Sequence, residues 1–246
     1  PKEEYFKLAD RAYAAVREMD GDVPVIALSA ASTPTTVDFA RDFFASGARF
    51  SDVSIHTYCD GFKERDFLGQ LKVVSELGRG CRLWVSEMGW TTGGKALARA
   101  DEHAQAAYLV RVYLSVAGSP HAGVMNWYDF VDDGFNYGYS EENFGVLRRD
   151  QTPKPAYRAL ALICNRFASG NPSLRDVPLS DGNSVWCFGM GTNSAVWADC
   201  DEKAKVKVET STDSEAVNAM GERVAPRARA FILEVDGEHP LLFSSP

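Results

Sequence analysis

The sequence predicts an α/β protein followed by a small antiparallel β domain. Three observations carry that expectation. Helix-like and strand-like segments alternate as far as Phe167. Near Ser169 the texture changes to short alternating segments separated by Gly and Asp turns. A chain of 246 residues is also long enough to bury a large core.

Tyr5, Leu8, Ala12, Ala15, Val16 and Met19 recur at helical spacing from Glu3 onward, and Asp20-Gly21-Asp22 stops the run. Val23 to Leu28 reads as a buried strand. Thr33-Pro34 opens a second helix through Phe39, Phe43 and Phe44, which Gly47 ends. Asp52 to Tyr58 is the next strand and Phe62 to Leu77 the next helix. Cys81 to Glu87 is a strand, Asp101 to Ala117 a helix and Ala122 to Tyr128 a strand. After a loop rich in Asp, Gly, Asn and Tyr, Pro155 to Phe167 is a helix. Such alternation implies right-handed crossovers and a parallel sheet. Gly170-Asn171-Pro172-Ser173 reads as a linker. Beyond it, Val185–Phe188, Ala195–Ala198, Val206–Glu209, Arg229–Val235 and Leu241–Phe243 suit a small antiparallel β-sandwich. Four parallel strands fit either part of a (β/α)8 barrel or an open doubly wound sheet, and topology alone does not choose.

Composition narrows the function. Hydrophobic residues at 45% and charged residues at 24% exclude a disordered chain. No apolar run approaches the roughly 18–20 residues that cross a bilayer, so no membrane partner is expected. The net charge of −8, with no basic cluster, argues against nucleic acid. The five cysteines are odd in number and form no C-x-x-C pair, which argues against zinc. Cys187 and Cys200 fall in neighbouring strand segments, as a pair or as two ordinary thiols. There is no Gly-rich phosphate loop, G-x-S-x-G or H-E-x-x-H, so no cofactor or metal is expected. Asp129, Asp132, Asp133, Glu141 and Glu142 crowd one loop, but without a calcium-loop spacing. His103 falls at a helix start, and His121 and His239 sit by strand starts without evident partners.

Three strand ends carry candidate chemistry. In Ser54-Ile55-His56-Thr57-Tyr58, alternation puts Ser54, His56 and Tyr58 on one face. In Leu83-Trp84-Val85-Ser86-Glu87, the same rule puts Glu87 at the end of an apolar row with Leu83 and Val85. A carboxylate there is costly to bury unpaired, and Gly89 permits a sharp exit from the strand. In Asn126-Trp127-Tyr128-Asp129, Trp127 is a stacking platform for a sugar ring or plain core. Carboxyl-terminal strand ends are where α/β architectures build sites.

Taken together, these segments resemble the last strands of a clan A glycoside hydrolase of the β-xylosidase/α-iduronidase-like group. Trp84-Val85-Ser86-Glu87-Met88-Gly89-Trp90 resembles the seventh strand, whose Glu is the nucleophile. His56-Thr57-Tyr58 resembles the sixth strand, and Asn126-Trp127-Tyr128-Asp129-Phe130 the eighth. Glu142 to Leu147, with Thr152-Pro153-Lys154-Pro155-Ala156-Tyr157, resembles the run into the final barrel helix. Met220-Gly221 and Pro240 match the terminal sandwich.

The resemblance implies the carboxyl-terminal half of a (β/α)8 barrel, strands five to eight, over residues 1–170, and an accessory sandwich over residues 171–246. It implies a retaining glycosidase acting on an oligo- or polysaccharide, with Glu87 as nucleophile. His56, Tyr58 and Trp127 would line the sugar site, with Trp90 and Asp129 as further substrate contacts. It also implies a strained or cis peptide after Trp127. The family's acid/base is the Glu of an Asn-Glu pair on strand four, and no such dipeptide occurs here. The chain is therefore expected to begin just past that residue and to hydrolyse glycosides poorly by itself. Half a barrel leaves two open sheet edges, through which association is expected. The contrasting readings are a non-catalytic carbohydrate-binding or interaction module that reuses the half barrel, and an open sheet with an unrelated cleft.

Overall fold

The computed structural model describes residues 2–31, 35–95, 98–179, 184–198 and 203–244. Two compact units interleave along the chain. The first comprises Pro1–Cys59, Arg65–Met88 and Pro120–Trp127. The second comprises Asp60–Glu64, Gly89–Ser119 and Tyr128–Pro246.

The first unit holds helices α1 (Lys2–Met19), α2 (Thr35–Ala45) and most of α3 (Glu64–Leu77). Its strands are β1 (Ile26–Ala31), β2 (Asp52–His56), β3 (Leu83–Met88) and β4 (Val124–Trp127). They form one parallel sheet in the order β1-β2-β3-β4. Helix α1 carries Glu3 and Glu4 in its first turn and Arg17 in its last, complementing its dipole. Tyr5 and Phe6 of α1 pack against Phe39 and Phe43 of α2, with ring centroids 5.5–6.1 Å apart. Val53, Ile55, Leu83, Val85 and Met88 are buried on one side of the sheet. Phe67, Leu71 and Val74 form the buried stripe of α3.

Strand β1 begins three residues later than hydropathy suggests. Pro24 has no N–H to give to a ladder, and the Val25 N–H goes to Ser51 Oγ at 2.9 Å instead. Pairing with β2 then starts at Ile26 opposite Asp52. At the outer edge of β1, the Tyr5 hydroxyl donates to the Leu28 carbonyl at 3.2 Å and accepts from the Leu28 N–H at 2.8 Å. The Thr33-Pro34 helix start lies outside the described residues, and α2 is described from Thr35.

The second unit holds α4 (Glu102–Gly118), a short 3-10 helix (Ser140–Asn143) and α5 (Pro155–Arg166). Asp101 caps α4, its carboxylate accepting from the N–H groups of His103 and Ala104 at 2.9 and 2.8 Å. The strands are β5 (Ser173–Pro178), β6 (Ser184–Met190), β7 (Asn193–Ala198), β8 (Ala204–Val217), β9 (Arg223–Val235) and β10 (Leu241–Ser244). The segment read as a linker thus runs directly into β5.

The expected sandwich is instead one six-stranded antiparallel sheet, ordered β5-β6-β7-β10-β8-β9. Strands β7 and β9 are not neighbours in that order, yet they touch, so the sheet curls onto itself. Register shifts between β8 and β9 after Glu209 supply the bend. Val185, Val196, Val206, Phe231 and Phe243 fill the interior of the curl.

A buried ion pair sits within this unit. Arg111 of α4 donates to Glu64 Oε1 and Oε2, both at 2.7 Å. The Trp197 indole N–H of β7 also donates to Glu64 Oε1 at 2.7 Å, and Arg111 reaches the Gly237 carbonyl at 2.7 Å. Glu64 and Arg111 are almost wholly buried, so these bonds replace the solvation both charges lost. Cys81, Cys164 and Cys187 carry free thiols, and Cys200 lies outside the described residues. Among the described residues, no helix is long and apolar enough to cross a membrane.

Candidate active site

The polar groups of the first unit gather at the carboxyl-terminal ends of β2 and β3. Along β2, Asp52, Ser54 and His56 share a face by alternation. The Trp84 indole N–H donates to Asp52 Oδ2 at 2.9 Å, so Trp84 of β3 projects to that face as well. A regular strand would then carry Ser86 there and turn Glu87 away.

Strand β3 is not regular at this point. Ile55 of β2 lies opposite Val85, but His56 lies opposite Glu87, so Ser86 is an extra residue. On the other side, Val85 lies opposite Met125 and Met88 opposite Trp127, which shows the same extra residue. This is a β-bulge, and it brings two adjacent side chains to one imidazole. His56 Nε2 lies 3.0 Å from Ser86 Oγ, and His56 Nδ1 lies 3.7 Å from Glu87 Oε1. Met88 faces the opposite, apolar side, where its sulfur accepts from Thr57 Oγ1 at 3.1 Å. Glu87 therefore does not share the face of Leu83 and Val85, as strict alternation suggests. The bulge moves it to the polar face.

The Tyr58 hydroxyl donates to Glu87 Oε1 at 2.8 Å. Oε2 has no hydrogen-bond partner among the described residues. The Glu87 side chain keeps 37% of its surface exposed and that of His56 keeps 16%. The arrangement is an accessible carboxylate with one oxygen held and the other open. The structure thus brings together His56, Tyr58 and Glu87. Trp127 closes β4 in the same unit, half-buried and opposite Met88 in register.

Two further groups face this side without having been singled out from sequence. Ser29 is an extra residue in β1, between Leu28 opposite Ser54 and Ala30 opposite Ile55. Its Oγ lies 2.8 Å from Ser54 Oγ. Leu28 and Ser29 take positive φ values of 78° and 47°, a strained backbone for residues with side chains. Ser86 is the second. Register alone identifies both, and register is not written in hydropathy.

The remaining candidates lie in the second unit. Trp90 is fully buried, packed against the rings of Phe62 and Tyr108 with centroids 5.7 and 4.9 Å away. It is core and has no surface for a substrate, which corrects the expected contact. Asp129 is half-buried and accepts from the Val131 N–H at 2.9 Å. Burial pushes its carboxyl above the usual range, more than that bond and the neighbouring acids alter it. The cis peptide joins Tyr128 to Asp129, one bond beyond the position the resemblance implies. Gly89 is required where the chain leaves β3, because a Cβ there would lie 1.8 Å from the Tyr128 carbonyl oxygen.

The acidic loop is tied up by the protein itself. Lys154 Nζ donates to Asp132 Oδ1 at 2.7 Å, to Thr92 Oγ1 at 2.9 Å and to the Asn143 carbonyl at 3.1 Å. Glu142 accepts from the Asn136 N–H, and Asp133 from the Tyr128 hydroxyl. Burial and the surrounding acids push the Tyr128 hydroxyl up to about 12. No group of three His, Cys, Asp or Glu suited to a metal occurs among the described residues. His239 is partnered after all, its Nδ1 lying 2.8 Å from Asp236 Oδ1.

The fold is shared with barrel glycoside hydrolases of clan A. A family 39 glycoside hydrolase from Bacteroides cellulosilyticus WH2 superposes with a TM-score of 0.79 at 22% identity, over 98% of this chain and 55% of its own. A family 39 β-xylosidase from Caulobacter crescentus gives 0.58 at 16% identity, over 100% of this chain and 62% of its own. A family 30 endoxylanase from Clostridium papyrosolvens C71 gives 0.55 at 8% identity, over 98% and 60%. The chain thus spans between 55% and 62% of the length of these three proteins. No protein-family model and no curated protein matches the sequence.

Proposed function

We propose that this chain is the carboxyl-terminal part of a retaining glycoside hydrolase acting on oligo- or polysaccharides. In this reading β1 to β4 are barrel strands five to eight, residues 1–170 belong to the catalytic barrel, and residues 171–246 are its accessory β domain. The observation that carries it is the Glu87 carboxylate, held by Tyr58 through one oxygen at a strand end, in a fold of the glycosidase kind.

The chemistry follows from that geometry. Retaining hydrolysis needs two carboxyl groups about 5–5.5 Å apart. Glu87 Oε2 attacks the anomeric carbon and the leaving oxygen departs, giving a glycosyl ester. A second carboxylic acid protonates that oxygen, then activates the water that cleaves the ester. Tyr58 fixes the attacking carboxylate through Oε1. His56, bridged to Ser86, holds the wall beside it, and Trp127 offers a ring edge or face to the sugar. Trp90 has no part in it, being core, while the half-buried Asp129 remains a further candidate contact.

Residues beyond this sequence supply the second acid, as the length of the similar structures and the absence of an Asn-Glu pair both favour. General acid–base assistance contributes about 10²–10⁴-fold, so the chain alone should turn over very slowly. The test uses the longer protein that contains this chain. A 2-deoxy-2-fluoro aryl glycoside should trap a glycosyl ester on Glu87, read by peptide mass spectrometry. Label on another carboxylate, or full activity in Glu87→Gln, would refute the assignment.

A further inference from the structure

The second unit presents an aromatic surface that the catalytic reading does not use. We propose that the segment between Tyr128 and Leu147 is a carbohydrate-binding surface, with Phe135, Tyr137 and Tyr139 as stacking rings for a neutral oligosaccharide. The proposal rests on the glycosidase reading for its ligand class and on this loop for its location.

Phe135 is 81% exposed, Tyr137 64% and Tyr139 54%. Three large rings in five residues stand in water, and exposed apolar surface concentrated in this way marks interaction sites. Looseness of the loop does not account for them. Asn143 Nδ2 donates to the Asn136 and Tyr139 carbonyls at 3.0 and 2.7 Å. The Gly94 N–H donates to the Tyr137 carbonyl at 2.8 Å, and Glu142 accepts from the Asn136 N–H at 2.8 Å. The contact is tight, since a Cβ on Gly93 would lie 2.6 Å from the Tyr137 carbonyl oxygen. The backbone is anchored on both flanks while its rings point to solvent. The ordering cost of presenting those rings has thus been met before any ligand arrives.

Charge selects the occupant. From Tyr128 to Leu147 the segment contains no Lys, Arg or His, but it contains Asp129, Asp132, Asp133, Glu141 and Glu142. Asp133 and Glu141 of that segment are exposed. An acidic face repels nucleic acid and anionic lipid. It suits a neutral polyol, whose C–H faces stack on rings and whose hydroxyls donate to carboxylates.

The experiment is calorimetry on the full chain with xylohexaose and cellohexaose. Wild type should bind at least one of them. The triple variant Phe135→Ala, Tyr137→Ala, Tyr139→Ala should bind about tenfold or more weakly, with an unchanged melting midpoint because the replaced rings are exposed. Binding of neither sugar by wild type, or unchanged affinity in the triple variant, would overturn the proposal. So would sedimentation or vesicle flotation showing that what the variant loses is self-association or phosphatidylcholine binding. Glu87→Gln in the longer protein, read by turnover, serves as the separate control. Undiminished sugar binding in the triple variant with an inactive Glu87→Gln rejects the surface and keeps the nucleophile. The opposite pair rejects the nucleophile and keeps the surface.

Discussion

The Tyr58 hydroxyl holds Glu87 Oε1 at 2.8 Å, linking the chain just past β2 to the bulge in β3. The link orients a carboxylate that is otherwise free to rotate about its own stem. Tyr58→Phe removes the donor and little volume. Turnover by the longer protein should fall about 10- to 100-fold, as for a misplaced reacting group, while KM changes little. Steady-state kinetics on an aryl xyloside check this, and an unchanged kcat would assign Tyr58 to packing.

Gly89→Ala should destabilise the fold. Its Cβ would sit 1.8 Å from the Tyr128 carbonyl oxygen, and backbone cannot swing away as a side-chain tip can. Overpacking of this kind costs about 1–3 kcal/mol. Thermal unfolding should show a clearly lower midpoint.

Arg111→Met should be more damaging. It leaves Glu64 buried without its cation and the Gly237 and Phe62 carbonyls without their donor. Breaking a buried pair on one side costs about 3–5 kcal/mol. Urea titration measures the loss, and a change under about 1 kcal/mol would contradict this account.

A pH-dependent contribution comes from Asp10. Hydrogen bonds from the Arg49 side chain and backbone lower its carboxyl from 3.8 to about 2. A depressed folded-state value means the stabilisation is present above pH 3.8 and fades as pH falls toward 2. Asp10→Asn should therefore lower the urea midpoint at pH 6, and its effect should shrink steadily between pH 4 and pH 2. Arg49 is exposed and Asp10 partly so, so the effect should be modest and weaken with salt.

The strand-end motifs were legible because residue type and order survive without coordinates. His56, Tyr58 and Glu87 could be named from strand ends alone, and they do converge. The face of Glu87 could not, because alternation assumes one residue per rung and the bulge at Ser86 adds another. Trp90 misled for a related reason. An aromatic two residues past a strand end reads equally as platform or core, and only the rings of Phe62 and Tyr108 decide. The carboxyl-terminal strands showed their alternation, but whether they stack as two sheets or curl as one depends on long-range pairing. The late start of β1 was in principle readable from Pro24.

The extra residue in β3 works as a reading-frame shift within a strand. Upstream of Ser86 the odd positions face the apolar side, and at Met88 the even position does. Deleting Ser86 alone would restore a uniform frame, with Glu87 in the polar slot opposite His56 and Met88 still on the apolar side, so the carboxylate would keep its face while His56 Nε2 lost the Ser86 hydroxyl. That deletion would therefore isolate what Ser86 gives His56 from what the bulge gives Glu87.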